Sequence, residues 1–454
     1  MMAHRWCRLG VSLLLCAPAA GLQLGGLGGL GGLGGLGGLG GGKAAKPTHF
    51  DLLVIGGGSG GLAASKAAAE LGKKVAVCNF VKPSPQGTTW GLGGTCVNVG
   101  CIPKKLMHHA AQLASARKDS SYYGFGELND EGEPAEAERH SWERLIDKVQ
   151  NYVKSMNYAY TVQCRSNDVE YFNAFASFVD PHTVEAVGRD RKTGAETRTT
   201  LTADEFIVCT GGRPSYPDIP GAVEHCITSD DLFSMQSPPG KTLIIGGGYV
   251  ALECAGFVSG LGYETTVVMR SVPLRGFDRQ MAEHVVDHME REEGIAFVRG
   301  ATLDEVEAMP NGKKRVRWAP AGSADAVVGA EDHLDCEEFD TILLAVGRDA
   351  FTHRMGLDVA GVERDETNGK LATTHEQTNV AHIYAIGDVL DGRALSPPSE
   401  LTELTPVAIQ AGRLLAARLY GGASTQMDYQ MVPTAVYALF PCPPPPPYHP
   451  CPPH

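Results

Sequence analysis

Acidic residues are missing from the first 50 positions, which hold four Lys and Arg; the first carboxylate is Asp51. The chain has no basic excess either. Its 39 Lys and Arg stand against 52 Asp and Glu, a net charge of -13, and beyond residue 50 the count is 35 against 52, or -17. That balance argues against a nucleic-acid backbone or an anionic membrane as the main partner. No unbroken apolar run of membrane-spanning length is present, because the longest stretch, residues 9–24, is interrupted by polar residues, Pro and Gly. Cysteine is not dense: 12 Cys are scattered over 454 residues, unlike a small secreted disulfide scaffold. This usage fits a reducing compartment with one special pair, Cys96 and Cys101. Glycine is what the chain has in surplus. Of 56 Gly, 13 lie within residues 25–42, and the other 43 still exceed an ordinary share, which points to Gly-rich ligand loops.

The length corresponds to about three domains. Residues 1–22 place Arg5 and Arg8 before an apolar stretch, the order of a secretory signal. The Arg-containing, acid-free composition over a longer span is that of a mitochondrial transit peptide, and composition leaves both readings open. A Gly-Gly-Leu repeat over residues 25–40 lacks the proline of collagen and cannot build a core, so it reads as a flexible linker. Residues 441–454 hold nine Pro in 14 positions and read as extended or disordered chain.

Two dinucleotide-binding patterns stand in the part expected to fold. A short apolar strand at 51–55 leads into Gly56-Gly57-Gly58-Ser59-Gly60-Gly61, a helical stretch stopped at Gly72, and a second strand at 74–78. This is the strand, G-x-G-x-x-G, helix, strand order that brings a pyrophosphate against backbone amides at a helix N-terminus. The unit recurs as a strand at 242–245, Gly246-Gly247-Gly248-Tyr249-Val250-Ala251, a helix, and a strand at 265–269. In both units the ribose-reading position lies 23 residues after the first Gly. It is Asn79 in the first and Met269 in the second, the latter followed by Arg270 and Arg275. Asn79 can bond a ribose hydroxyl less strongly than a carboxylate. Paired guanidinium groups suit a 2′-phosphate, so the second unit reads as an NADPH site, with solvated loop charges as the alternative. Farther on, an apolar strand ends in Gly387-Asp388, where the Asp can accept from a ribityl hydroxyl or simply close a turn. Two such sites in one chain suggest electron transfer between a nicotinamide and a flavin.

Between the units, Cys96 and Cys101 are five residues apart, with Gly100 between them and Pro103 at a helix start. The spacing permits a disulfide, and a helix N-terminus beside Lys104 and Lys105 stabilises a thiolate at Cys101. A zinc site using His108 and His109, or a plain buried pair, are the other readings.

The segment GGTCVNVGCIPKK resembles the active-site helix of the pyridine nucleotide-disulfide oxidoreductases. The flanking KPSPQGTTWGLGG and LMHHAAQL look like the large, animal type of thioredoxin reductase within that family, more than glutathione reductase. GGGYVALECAGF, RSVPLRGFD, LLAVGRD, YAIGDV and ELTPVAIQAGRLLA follow in the family order, so the resemblance spans about residues 50–433. It implies an α/β fold with two Rossmann-like domains: an FAD domain at 48–208 and 340–420, and an NADPH domain at 209–339 inserted into it. It implies that electrons pass from NADPH to FAD to a Cys96–Cys101 disulfide and on to thioredoxin. Cys101 would be the sulfur beside the flavin and Cys96 the interchange thiol, with Lys104 paired to Glu253 near the ring. FAD would be held by Gly56, Gly58, Gly61, Asn79, Thr95, Lys105, Thr210, Gly211, Gly387, Asp388 and Thr405. NADPH would lie along Gly246, Gly248, Ala251 and Gly347, with Arg270 and Arg275 on its phosphate and Tyr249 over the nicotinamide pocket. No metal is implied. The leader composition then tilts toward the mitochondrial matrix, with the cytoplasm as the alternative.

Three departures from the family pattern carry expectations of their own. Asn79 replaces an acid. Pro397-Pro398 adds a loop before the ELTP motif. After Met431-Val432-Pro433 the family continues into an interface domain that makes the homodimer, supplies a partner His–Glu pair and ends in a selenocysteine tail. Residues 421–454 read instead as a stub and a Pro-rich tail, in which His449, His454, Cys442 and Cys451 are no substitutes. The expectation is a fold lacking that domain. It would be a thioredoxin reductase by descent or a variant that binds FAD and NADPH without protein-disulfide turnover, with glutathione reductase as a third reading.

Overall fold

The computed structural model describes residues 48–120, 123–125, 140–190, 192–320, 335–399 and 403–438. The leader and linker expected over residues 1–47 and the Pro-rich tail lie outside the described residues. The chain opens with β1 (Thr48–Ile55), α1 (Ser59–Glu70) and β2 (Val75–Asn79), then three helices: α2 (Gly94–Val99), α3 (Cys101–Ser120) and α4 (Trp142–Ser166). Strands β3 (Val169–Asp180), β4 (Thr183–Arg189), β5 (Glu196–Val208) and β6 (Gly212–Pro214) follow. Next come α5 (Ala222–His225), β7 (Ile227–Thr228), α6 (Ser229–Leu232), β8 (Thr242–Ile245), α7 (Tyr249–Gly260), β9 (Thr265–Met269) and α8 (Arg279–Arg291). Then come β10 (Ala296–Arg299), β11 (Ala301–Ala308), β12 (Lys314–Pro320), β13 (Asp335–Phe339) and β14 (Thr341–Leu344). The described chain closes with β15 (Arg348–Ala350), β16 (Ile383–Ala385) and α9 (Thr405–Tyr420).

The first sheet has a parallel layer in the order β3-β2-β1-β5-β16. Strands β3 and β5 are long because each pairs twice. Residues 169–173 of β3 join β2 and the rest of that strand joins β4, while the first half of β5 joins β4 and its second half joins β1. An antiparallel meander therefore grows out of the parallel layer. Both faces of β1 are covered, which is why it reads as a continuous apolar run. On one face α1 and α9 pack together with Leu62, Ala64, Val407 and Leu415 in one core. Their approach is close enough that a Cβ on Gly412 would sit 2.7 Å from the Gly60 carbonyl oxygen.

The second sheet is wholly parallel, in the order β10-β9-β8-β14-β7. The antiparallel β11-β12-β13 ribbon covers one face through Val316, Trp318 and Phe339. On the other face α7 and α8 share a core with Met107 of α3 and with Trp142, Ile146, Val149 and Val153 of α4. Those α4 residues recur at helical spacing, and Ser141 caps the helix by accepting from the Arg144 amide. One boundary is corrected here. Residues 341–344, placed by the sequence in the return segment of the first unit, pair with β8 and β7 in the second sheet. Their four buried apolar residues suit either parallel sheet, and pairing alone decides between them. Among the described residues no helix is long and apolar enough to cross a membrane.

Candidate active site

The helix break at Gly100 brings the two cysteines together: Cys96 lies in α2 and Cys101 is the first residue of α3. Gly100 allows the tight passage, since a Cβ there would fall 3.0 Å from the Thr95 carbonyl oxygen. Both cysteines carry free thiols, the reduced counterpart of the expected pair. A hydrogen bond from Cys96 lowers the Cys101 thiol from its ordinary value to about 6, against the opposing effect of burial. The Thr405 hydroxyl, with its oxygen 3.7 Å from Cys101 Sγ, and the Lys104 ammonium act in the same direction as Cys96. The same contact, together with burial, drives the Cys96 thiol far up. The pair thus keeps a proton on Cys96 and negative charge on Cys101.

One helical turn below, Lys104 Nζ donates to Glu253 Oε1 at 3.0 Å. Packing of α3 on α7 sets this ion pair, with Met107 and Ala111 in the same core as Leu252 and Ala255. Glu253 is buried, and its Oε1 also accepts from the Tyr437 backbone amide at 2.8 Å.

A groove at the C-terminal end of the first parallel layer is lined by Gly56, Gly58, Asn79, Thr95, Cys96, Thr210, Gly211, Gly387, Asp388 and Thr405. It is the edge at which doubly wound folds bind nucleotides. The N-terminus of α1 opens onto it with no side-chain cap and no acid in the first turn, which leaves its amides for an anion. Gly61 lies beneath the turn, where a Cβ would come 2.0 Å from the Gly56 carbonyl oxygen and 2.7 Å from Cys209 Sγ. Asn79 Oδ1 accepts from the Gly57 amide at 3.2 Å, so the residue that lacks a carboxylate braces the glycine turn. Thr210 lines the groove while its hydroxyl donates to the Phe351 carbonyl at 2.6 Å. Burial pushes the Asp388 carboxyl up, the Glu403 charge adds to this, and Arg348 and Lys370 oppose it. The groove thus offers what a dinucleotide requires, free α1 amides for a pyrophosphate and a carboxylate at Asp388 able to accept from a hydroxyl.

Lys105, Gly61 and Cys101 are expected at the groove but are not among the residues that line it. The Lys105 ammonium stands 4.4 Å from the centre of the Tyr437 ring, the same ring that Lys104 Nζ approaches at 4.1 Å. The Pro397–Pro398 loop is tied to the later chain: Gln430 Nε2 donates to both carbonyls, at 3.1 and 3.3 Å, and Ser399 Oγ donates to the Tyr429 carbonyl at 2.6 Å. Residues 395–399 are not among those lining the groove.

The second cleft, about 630 Å³, gathers Gly246, Gly248, Tyr249, Arg270, Arg275 and Gly347 at the C-terminal end of the second sheet. Helix α7 begins there without a side-chain cap. Leu274 donates its amide to the Gly247 carbonyl at 2.7 Å, which folds the loop carrying both arginines back over the glycine turn. Arg275 Nη2 donates to Ser271 Oγ at 2.9 Å, and neither arginine is paired with a carboxylate among the described residues. Ala251 is buried without a clash, so this turn tolerates the methyl that Gly61 cannot carry.

Some site residues escaped the sequence reading. Arg348, from LLAVGRD, lines the second cleft and donates to the Gly212 carbonyl at 2.6 Å and to Thr95 Oγ1 at 3.4 Å, joining the two sites. Asn157 donates to the Leu92 carbonyl at 2.6 Å and to Asn98 Oδ1 at 2.9 Å, holding the loop before Cys96. Arg348 stood inside a recognisable motif; Asn157, in an ordinary amphipathic helix, had no local signal.

The profile of the family described as pyridine nucleotide-disulphide oxidoreductase matches residues 50–412. The chain is also 58% identical over 394 residues to thioredoxin reductase SEP1 of Emiliania huxleyi, covering 87% of this chain and 75% of that protein. The profile takes in both glycine turns and the cysteine pair, and the likeness to SEP1 extends over most of both chains, so the protein belongs to the pyridine nucleotide-disulphide oxidoreductases.

Proposed function

We propose that the chain is an NADPH-dependent flavoprotein disulfide reductase whose substrate is thioredoxin, with FAD in the first groove and NADPH in the second cleft. In domain terms, residues 48–208 with the return segment after 345 form the FAD-binding unit, and residues 209–344 form the NADPH unit. When bound, FAD supplies the two-electron relay between a nicotinamide hydride and the sulfur pair. The α1 amides and Asp388 would hold it, and Arg270 and Arg275 would hold the 2′-phosphate of NADPH. Lys104, fixed by Glu253, keeps a positive charge beside Cys101.

The observation that carries the reading is the placement of the cysteine pair: the helix break at Gly100 puts Cys96 in the wall of the first groove and Cys101 against Thr405, one turn from the Lys104–Glu253 ion pair. The Cys96 sulfur attacks the substrate disulfide as its proton passes to the departing sulfur, and one substrate thiol leaves. The Cys101 thiolate then attacks the Cys96 sulfur, releases the second substrate sulfur as a thiolate and closes the Cys96–Cys101 disulfide. NADPH-driven reduction of thioredoxin disulfide by the full chain, lost in Cys96→Ser, is the expected result. Turnover of glutathione disulfide with no turnover of thioredoxin would overturn the substrate assignment. The acid-free, Arg-containing first 50 residues support delivery to the mitochondrial matrix. Residues 1–47 fused to a fluorescent protein should direct it there, and a cytoplasmic signal would refute this.

A further inference from the structure

The segment after Pro433 has no role in the reading so far, yet it reaches the ion pair beside the cysteines. Tyr437 donates its backbone amide to Glu253 Oε1 at 2.8 Å, the same oxygen that accepts from Lys104 Nζ at 3.0 Å. Its ring centre lies 4.1 Å from Lys104 Nζ and 4.4 Å from Lys105 Nζ, and it packs edge-to-face with the His108 ring, 5.8 Å between centres. Ala438 and Val436 on either side pack into the core shared by α3 and α7, which anchors the contact. One residue therefore serves both halves of the pair: the amide stabilises the carboxylate, and the ring face stabilises the ammonium. Lys104 and Glu253 side chains are 15% and 6% exposed, so little water competes for them.

We infer that Tyr437 is a positioning residue for the reductive step: it fixes Lys104 in place through Glu253 and through its own ring. The inference rests on the proposed flavoprotein reading. It acts through Lys104 and touches no reacting atom.

The test uses the full chain and three variants. Tyr437→Phe keeps ring and amide, Tyr437→Ala keeps the amide alone, and Tyr437→Pro removes both. The readouts are flavin content, melting temperature, the rate of flavin reduction by NADPH, the KM for NADPH and the flavin midpoint potential. In Tyr437→Ala the reduction rate should fall about two- to tenfold, the range set by one partly exposed cation–π contact. The potential should become more negative, with flavin content and the KM for NADPH unchanged. Tyr437→Phe should restore the rate and potential, and Tyr437→Pro should lose more than Tyr437→Ala. A Tyr437→Ala protein with wild-type rate and potential overturns the inference. So does a rate loss that only follows lost flavin or a lowered melting temperature. If Tyr437→Pro does not fold, the comparison of Ala with Phe still decides. A wild-type chain that binds no flavin overturns the underlying reading instead, and with it this inference.

Discussion

Replacing Gly61 by Ala adds one methyl group, and the structure says where it must go. The new Cβ would lie 2.0 Å from the Gly56 carbonyl oxygen and 2.7 Å from Cys209 Sγ. The first obstacle is backbone, so no rotamer change relieves it; α1 must move away from the turn that faces the groove. Overpacking costs about 1–3 kcal/mol, and a clash with backbone that no rotamer relieves belongs at the upper end of that range. That strain falls on the turn and amides proposed to hold the FAD pyrophosphate, so FAD affinity should fall by roughly two orders of magnitude. The control lies in the second unit, where Ala251 already carries the methyl in a buried position. Ala251→Gly removes a methyl at a cost of about 1 kcal/mol and should leave flavin content intact. The assay is flavin absorbance per polypeptide after purification and dialysis, with melting temperature measured alongside. Wild-type flavin retention in Gly61→Ala would refute the reasoning.

Other consequences can be checked separately. A thiol held at about 6 is thiolate above that pH, so alkylation of Cys101 by iodoacetamide should rise through pH about 6. A midpoint near the ordinary 8.5 would contradict the arrangement around that sulfur. Arg270→Ala and Arg275→Ala should each raise the KM for NADPH about 10- to 100-fold, the worth of one charge-assisted bond, while leaving NADH unaffected. Equal effects on both nucleotides would remove the phosphate role. Trp142 is buried, and its Nε1 donates to the Met235 carbonyl at 2.8 Å. Trp142→Ala should therefore cost about 3–5 kcal/mol, which calorimetry would register as a melting temperature lower by roughly 5–10 °C.

The parts legible in the sequence are those encoded within a few residues. Each glycine turn sits between its own strand and helix, and Cys96 and Cys101 share one short break, so local pattern was enough to find them. The contacts that tune the site join distant segments. Thr405 meets Cys101 across 304 residues, and Arg348 meets Thr95 across 253. Family resemblance supplied Thr405 because it stands in a motif, but nothing local marks Asn157, and Tyr437 lies past the last motif. The double pairing of β3 and β5 was equally hidden, since one long strand looks the same whether it serves one partner or two. Strand β14 shows the same limit, because four buried apolar residues do not say which parallel sheet they join. In sequence Asn79 offers only a weak ribose contact, and its hydrogen bond to Gly57 depends on a turn geometry that only the folded chain defines.

The central claim is a continuous route from the second cleft, through the first groove, to Cys101. Anaerobic titration of the purified full chain with NADPH, followed by absorbance, tests it most directly. The account predicts a flavin spectrum that bleaches on NADPH addition and gains a long-wavelength band, which is missing in Cys101→Ser. A colourless protein, or a flavin spectrum that NADPH leaves unchanged, would contradict it.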